Sequence, residues 1–261
     1  MRAFEEEGDE RYRHAAVRAA DWLIEFMDED GCWRKFGSPM TGKHVNTYNT
    51  RAAWSLARVH DITGDRRYLN AAVKNAEWAM TQRNALGWLA ENCLQDSTQP
   101  FTHTIAYAMR GLLEIGAASG REDFISAARV IGDAMLAALP TNGRLPGRFN
   151  DKWQPTVNWS CLTGDCQLGI NWGRLYKISG DKKYQEATGR ILSFVKRTQK
   201  LACENKDILG GVKGSYPING GYHPWQYPNW ATKFYADALM MDIANASGNP
   251  YRLTGQLSRD D

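Results

Sequence analysis

Imidazole, phenol, amide and guanidinium side chains gather just before several helical patterns of this chain. His44 and His103 occupy equivalent places, each near the start of a helix, where the positive helix end lowers an imidazole pKa and favours a neutral base. Such groups suit the removal of a proton beside a carboxylate, so we predict a β-elimination. The catalytic candidates are the bases His103 and Tyr48, the acids Tyr107 and Tyr216, and His44.

The predicted substrate is an acidic polysaccharide or oligosaccharide. Asn46, Asn158 and Arg51 would hold a uronate, because amide and guanidinium groups neutralise its charge and make its C5 proton more acidic. Aromatic side chains are frequent in the loops and offer flat surfaces for stacking on sugar rings. The predicted substrate-binding residues are Asn46, Arg51, Trp88, Arg148, Asn158, Trp159, Trp225 and Tyr227.

Two other functions remain open at this point. The first is glycoside hydrolysis, with Asp165 as one carboxylate and Asp151, Glu91 or Asp96 as the other, because hydrolysis ordinarily needs two carboxyl groups. The second is a non-catalytic protein of exopolysaccharide assembly that holds glycan in an aromatic groove. Hydrolysis predicts new reducing ends, whereas the binding protein would cut no bond.

Several other classes of site are disfavoured. The net charge of +3, from 32 basic and 29 acidic residues, is too small to indicate nucleic acid and is compatible with an anionic substrate. Five cysteines form no disulfide framework, and the spacing of Cys161 and Cys166 is poor for zinc. The chain has no phosphate-binding loop, HExxH or GxSxG motif. We therefore expect neither a metal nor a cofactor.

The sequence contains no apolar run of the length that crosses a bilayer. Its first ten residues are acidic, unlike the basic and then apolar order of a signal peptide. As written, the chain is expected to be cytoplasmic, or periplasmic or secreted if a leader has been removed.

An internal repeat must position these side chains. A glycine ends one helical pattern and an aromatic residue opens the next at Gly64, Gly120, Gly180 and Gly248, with spacings of 56, 60 and 68 residues. Each interval contains an Ala-rich helix, a loop bearing Gly or Trp, and a second helix. The period predicts stacked helical hairpins in a single domain, residues 1–261, since no hairpin can bury its apolar face alone.

The repeat predicts helices near residues 10–27, 46–62, 68–82, 102–118, 122–139, 163–178, 183–199 and 229–246. Small residues recur in the second helix of each pair, which indicates an inner layer. Because all inner helices follow the long loops, their N-termini should share one face with those loops. We expect a single groove there, bordered by the candidate residues.

Four segments also carry a resemblance: residues 161–167 (CLTGDCQ), 176–181 (YKISGD), 210–217 (GGVKGSYP) and 227–231 (YPNWA). With the hairpins, they resemble the α/α-toroid superfamily of squalene cyclases, protein prenyltransferase β subunits, polysaccharide lyases and unsaturated-glycuronyl hydrolases. More narrowly, the chain is similar to VpsJ-like proteins encoded among bacterial exopolysaccharide biosynthesis genes.

The resemblance implies an all-α fold, a toroid-like arc of about four helical hairpins, and a role linked to carbohydrate. Four hairpins are fewer than the six or seven of a closed toroid, so it also implies an open arc with a groove, or closure by a partner copy in a homodimer. Terpene or prenyl chemistry is permitted by the fold, but Asp28, Glu29 and Asp30 lack the spacing of a cyclase motif and lie at a helix end.

Overall fold

The fold is almost entirely helical. A computed structural model describes residues 1–36, 45–93 and 95–248, and a short 3-10 turn, Thr47–Asn49, precedes the third helix of these ranges. The helices are α1 (Arg2–Glu7), α2 (Glu10–Glu25), α3 (Thr50–Thr63), α4 (Arg66–Thr81), α5 (Thr102–Ser119), α6 (Glu122–Ala137), α7 (Leu162–Ser179), α8 (Lys182–Thr198) and α9 (Asn229–Ser247). Two short strands, β1 (Ser160–Cys161) and β2 (Ser215–Tyr216), pair antiparallel.

The helices form two layers. Helices α3, α5, α7 and α9 pack side by side in an inner layer, and α4, α6 and α8 pack outside it, each against the inner helix before it. Helix α2 adjoins α3 and begins the same pattern. The predicted arc of four hairpins, α2–α3, α4–α5, α6–α7 and α8–α9, is confirmed.

Short turns join each inner helix to the following outer helix. Gly64 ends α3 with a left-handed φ of 71°, and the side chain of Asp65 then accepts a hydrogen bond from the backbone N–H of Arg67 at 2.9 Å. Gly180 and Asp181 repeat this arrangement between α7 and α8. Since a glycine C-cap stops one helix and an aspartate N-cap starts the next, the chain reverses within two residues.

Each interface between neighbouring inner helices contains a side-chain donor bonded to a backbone carbonyl of the adjacent helix. At the first interface, Gly111 is closely approached by Thr50, and a Cβ at Gly111 would overlap it. The three bonds run from Thr50 to Ala108 at 3.2 Å, from Asn171 to Ala106 at 2.9 Å, and from Asn245 to Gly173 at 3.1 Å. These bonds fix the spacing of the inner layer through the main chain.

Helices α5 and α7 are buried over most of their surface. Trp172 of α7 is fully buried, and its indole Nε1–H donates to the carbonyl oxygen of Gly132 in α6 at 3.0 Å. The same two helices nevertheless carry buried polar side chains, including His103, Arg110, Glu114 and Gln167. No helix in the described part of the chain is both long and apolar enough to cross a membrane.

Candidate functional site

A cavity of about 210 Å³ lies between the four inner helices. Each helix contributes side chains spaced three or four residues apart, which places them on one helical face. All of these side chains come from the first ten residues of their helices, and α1 adds Arg2. The lining consists of Arg2, Arg51, Trp54, Ala106, Arg110, Gln167, Ile170, Asn171, Lys233, Phe234 and Asp237.

Arg51 is a cation surrounded by aromatic rings. Its guanidinium carbon lies 5.0 Å from the ring centroid of Trp54, 5.3 Å from that of Tyr107 and 5.9 Å from that of Phe234. Burial lowers the Arg51 pKa from its ordinary value, although the side chain stays charged. Within the described ranges, no carboxylate pairs with this guanidinium. A charge without a partner in a cavity favours an anionic ligand.

Two amides of α7 face the same cavity from successive turns. Gln167 is 3% exposed, and neither its Oε1 nor its Nε2 has a hydrogen-bond partner in the described part of the protein. Asn171 donates from Nδ2 to the carbonyl oxygen of Ala106 at 2.9 Å, which fixes the plane of its amide. Buried polar atoms are ordinarily satisfied, so the Gln167 amide is suited to a ligand that both donates and accepts.

Asp237 is the one carboxylate among the described residues that line the cavity. Its Oδ2 lies 2.5 Å from Nζ of Lys233, one helical turn away on α9. The Asp237 residue is 8% exposed, whereas much of the Lys233 side chain reaches solvent. The ion pair holds this carboxylate beside the cavity, where it can accept a proton.

A buried charge cluster lies deeper along the inner helices. Glu114 of α5 accepts two hydrogen bonds from Arg174 of α7, and its Oε1 lies 2.8 Å from Nε of Arg110. Burial disfavours the charged form of Glu114, but the two guanidinium groups outweigh it and hold the Glu114 pKa below its ordinary value. Burial lowers the pKa of Arg110 to about 10. One carboxylate therefore faces two cations.

His103 does not line the cavity. Its ring is enclosed by aromatic neighbours, with centroids 4.6 Å from Tyr222, 5.4 Å from Phe101 and 5.9 Å from Tyr107. Burial, with smaller effects from His223 and Arg148, lowers the His103 pKa to about 3. The imidazole is therefore neutral, as expected, yet it is 4% exposed and packed one turn before the cavity residue Ala106. Tyr107 connects this aromatic cluster to the cavity through Arg51.

The residues before α3 also lie outside the cavity lining. Asn46 is 3% exposed, and its Oδ1 is buried without a hydrogen-bond partner among the described residues. Burial raises the pKa of the half-buried Tyr48 to about 12, which disfavours its phenolate as a base. His44 lies outside the described residues. Of the predicted residues at this helix start, Arg51 alone lines the cavity.

Asp165 lies on a different face of α7 from the cavity residues. It precedes Gln167 by two positions, which turns it about 200° around the helix axis. Trp172, which shares the face of Asp165, contacts the outer helix α6. Asp165 is fully buried, neither carboxyl oxygen has a hydrogen-bond partner in the described ranges, and burial raises its pKa well above the ordinary value. Burial thus disfavours the charged form of this carboxyl, which faces away from the cavity lining.

Three predicted residues lie in the loops above α5. Trp88 is buried at the edge of a groove separate from the cavity. The guanidinium carbon of Arg148 lies 3.6 Å from the ring centroid of Phe101, and Trp159 packs against the same ring at 6.0 Å. These contacts assign packing roles to Arg148 and Trp159.

The remaining predicted residues occupy the loops that flank β1 and β2. Tyr216 has Arg144 over its ring at 5.4 Å, and the same arginine donates to the carbonyl oxygen of Asn158 at 2.6 Å. Tyr227 packs near the backbone before α9, while Trp225 is 73% exposed with a positive φ of 61°. The structure therefore brings His103, Arg148 and Trp159 together around Phe101, outside the cavity lining, but it does not gather all of the predicted residues in one groove.

The cavity residues that the sequence interpretation missed lie one to three turns inside the inner helices. Those with polar or aromatic side chains are Trp54, Arg110, Gln167, Asn171, Lys233, Phe234 and Asp237, while Ala106 and Ile170 of the inner helices and Arg2 of α1 were missed as well. A signal for them was present in the sequence, because polar pairs four residues apart occur within otherwise apolar helices, as in Gln167 with Asn171 and Lys233 with Asp237.

Two helical layers around a polar central cavity define this protein as an α/α toroid. No family model matches the sequence, and no curated protein matches it. Solved structures do match the fold. An unsaturated glucuronyl hydrolase specific for heparin superposes with a TM-score of 0.76 at 15% identity, covering 94% of this chain and 72% of that protein.

Two further solved structures have the same fold. The unsaturated glucuronyl hydrolase of Bacillus sp. GL1, responsible for glycosaminoglycan degradation, gives a TM-score of 0.73 at 17% identity over 91% of this chain and 70% of that protein. The α-1,6-mannanase of Salegentibacter sp. HEL1_6 gives 0.68 at 14% identity over 91% of this chain and 66% of that protein. At these identities the comparisons establish the α/α-toroid fold.

Proposed function

We propose that the protein is a carbohydrate-active enzyme that binds an acidic glycan in the central cavity and cleaves it by hydrolysis. The observation that carries this proposal is the charge of the cavity lining, where the described residues supply four basic side chains and the single carboxylate of Asp237. Such a lining attracts an anion and retains one group able to move a proton. The solved structures with the same fold include enzymes named for hydrolysing glucuronyl glycans and mannans.

In this proposal the sugar carboxylate pairs with Arg51. The guanidinium lacks a carboxylate partner in the described ranges and lies among three aromatic rings, so it is available for a charge-assisted bond to a ligand anion. Trp54 and Phe234 provide flat faces for the sugar ring. The Gln167 amide, with both polar atoms unpaired, would bind the hydroxyl groups.

Asp237 is the proposed general base. Its carboxylate, paired with Lys233 at 2.5 Å, would take a proton from a water molecule as that water attacks the anomeric carbon. The new carbon–oxygen bond forms as the glycosidic bond breaks, the leaving oxygen takes a proton from solvent, and Asp237 returns its proton to solvent. Water is thus added across the cleaved bond.

Hydrolysis is favoured over β-elimination by the composition of the cavity. Among the described residues, neither a histidine nor a tyrosine lines it, so the lyase hypothesis lacks its predicted base there. Asp165, the carboxylate first favoured for hydrolysis, gives way to Asp237 because Asp165 lies on the opposite side of α7. The non-catalytic glycan-binding function stays the alternative.

Incubation with oligosaccharides that contain uronic acid residues tests the proposal. Hydrolysis predicts new reducing ends without new ultraviolet absorbance, whereas a lyase would produce an absorbing unsaturated product. Binding without any product would support the glycan-binding alternative. Absence of both binding and products across the panel would reject an acidic glycan as the ligand.

The finer expectations stay proposals as well. A glycan-acting toroid agrees with the similarity to VpsJ-like proteins and with a place in exopolysaccharide biosynthesis. It also agrees with a single domain and with a homodimer. Purified protein can be tested for the last of these by measuring its mass in solution.

A further inference from the structure

A second concave surface lies on the loop side of the fold, apart from the central cavity. It encloses about 650 Å³ between the loop that follows α4 and the loop that precedes β1. We call it the loop groove and define it by Trp88, Thr98, Gln99, Asn150, Asp151 and Thr156. It shares no lining residue with the central cavity.

The two sides of the loop groove are held together by hydrogen bonds. Asn84 donates from Nδ2 to the carbonyl oxygen of Asp151 at 2.9 Å, and Trp153 donates from Nε1 to that of Leu86 at 2.9 Å. Arg148 donates to the carbonyl oxygen of Gln99, also at 2.9 Å. The groove is therefore a built surface, with its walls fixed by contacts across it.

Trp88 supplies an unused hydrogen-bond donor at this groove. The residue is 7% exposed, and its indole Nε1–H has no partner in the described part of the protein. Two other buried indoles do have acceptors, since Trp33 donates to Leu23 at 2.7 Å and Trp172 donates to Gly132 at 3.0 Å. A buried donor without a hydrogen bond costs free energy. A ligand oxygen that accepts from the Trp88 indole would recover that free energy.

Two acceptors in the groove are oriented by Asp96. Its Oδ1 accepts from the Thr98 hydroxyl and its Oδ2 from the Gln99 amide nitrogen, both at 2.7 Å. Hydrogen bonds from Thr98 and Gln99 lower the Asp96 pKa, so the carboxylate stays charged and holds both side chains. The Thr98 hydroxyl proton and one N–H of the Gln99 amide are committed to Asp96, which leaves the side-chain amide oxygen of Gln99 and the Thr98 hydroxyl oxygen to accept from a ligand.

The charge of the loop groove is opposite in kind to that of the cavity. Asp151 is the only ionisable side chain among the described lining residues of the groove, whereas the cavity has four basic ones. Among the described lining residues, an anionic sugar would meet no cation. A neutral sugar, whose hydroxyl groups both donate and accept, matches the indole N–H, the amide carbonyl and the hydroxyl oxygens.

From this arrangement we propose that the loop groove is a second carbohydrate site, which binds a neutral sugar unit. This site does not depend on the proposed hydrolysis in the cavity. It gives a glycan with both acidic and neutral residues two places to bind on one protein.

Calorimetric titration of the full chain with neutral trisaccharides, cellotriose and α-1,6-mannotriose, tests this proposal. Trp88→Phe keeps the aromatic face and removes the N–H, so binding should weaken about threefold to tenfold. Gln99→Ala, which removes the oriented carbonyl, should weaken it to a similar extent. Trp22→Phe changes a tryptophan on α2 outside both sites and should leave affinity unchanged.

The outcomes separate this site from the cavity. Weaker trisaccharide binding in both groove variants, with glucuronate binding retained, supports the loop groove whatever the cavity catalyses. Unchanged trisaccharide affinity in both variants, an equal loss in Trp22→Phe, or displacement of the trisaccharide by glucuronate would overturn it. Failure of the wild type to bind any neutral trisaccharide would overturn it as well, while leaving the cavity proposal standing.

Discussion

The guanidinium of Arg174 donates two hydrogen bonds to the carboxylate of Glu114, from Nε to Oε1 at 2.8 Å and from Nη2 to Oε2 at 3.0 Å. This fork-to-fork contact joins α7 to α5 beneath the cavity. Oε1 of Glu114 also lies close to Nε of Arg110, so the one carboxylate is the counter-charge of two guanidinium groups.

Glu114→Gln should therefore destabilise the fold strongly. The substitution keeps the side-chain volume but leaves two largely buried guanidinium groups without a counter-charge, which typically costs about 3–5 kcal/mol. Urea unfolding measures the loss. Glu77→Gln, which removes an exposed partner of Arg121, should change stability by no more than about 1 kcal/mol. Equal effects of the two substitutions would contradict the role of the buried cluster.

Arg51→Gln should weaken binding of glucuronate at least about tenfold, because it removes the cavity cation that lacks a carboxylate partner. Arg51→Lys retains the charge but loses the planar fork, so its affinity should be intermediate. Calorimetry gives the affinities, and Arg66→Gln, at an exposed position of α4, serves as the control. Wild-type affinity in Arg51→Gln would place the carboxylate elsewhere.

Asp237→Asn should reduce kcat on a uronic acid oligosaccharide about a hundredfold or more, with a smaller change in KM, because the proposed base is lost while the binding groups remain. Reducing-end release measures the rate. Asp207→Asn, at an exposed loop position, should behave as wild type. Retained kcat in Asp237→Asn would exclude this carboxylate as the base.

His103 should make the fold less stable in acid. Its folded-state pKa of about 3 is below the ordinary 6.5, so its contribution is fully present above about pH 6.5 and is lost as the pH falls towards 3. The loss approaches about 1.4 kcal/mol per pH unit within that window. Unfolding of wild type and His103→Gln across this range should converge as the pH falls. Parallel curves would show that the imidazole can be charged in the folded protein.

Asp165→Asn should have the opposite pH dependence. Burial raises the Asp165 pKa, so its favourable contribution is present below about pH 4 and is lost as the pH rises through its folded-state value. The stability of Asp165→Asn relative to wild type should therefore increase from pH 4 to pH 8. A difference in unfolding free energy that stays constant with pH would mean that Asp165 is charged in the fold or paired.

The helices were predictable because their ends carry strong local signals. Gly64 and Gly180 adopt left-handed caps, and the helices predicted beside them end within a residue or two of their observed bounds. Helix α1 and the strands β1 and β2 were not predicted, since six residues and two residues are too short to show a period.

The site was less predictable than the fold. Arg51 was identified from its position at a helix start, but Gln167 and Asp165, only two residues apart, face opposite sides of α7. Almost all of α7 is buried, so hydrophobic periodicity does not show which of its faces borders the cavity. Packing against α5 and α9 sets the rotation of α7 about its axis. The spacing of residues in the sequence does not give this rotation.

The side-chain-to-carbonyl bonds between inner helices have a consequence for how this cavity can change. Thr50, Asn171 and Asn245 each hold the main chain of a neighbouring helix, so the spacing of the inner helices along the arc is set by backbone anchors and not by the residues that line the cavity. Substitutions at Arg51, Gln167 or Asp237 can then exchange one ligand chemistry for another within a frame of constant width. In such a scaffold the packing of the helices sets the size of the ligand, and the side chains that line the cavity set its chemistry.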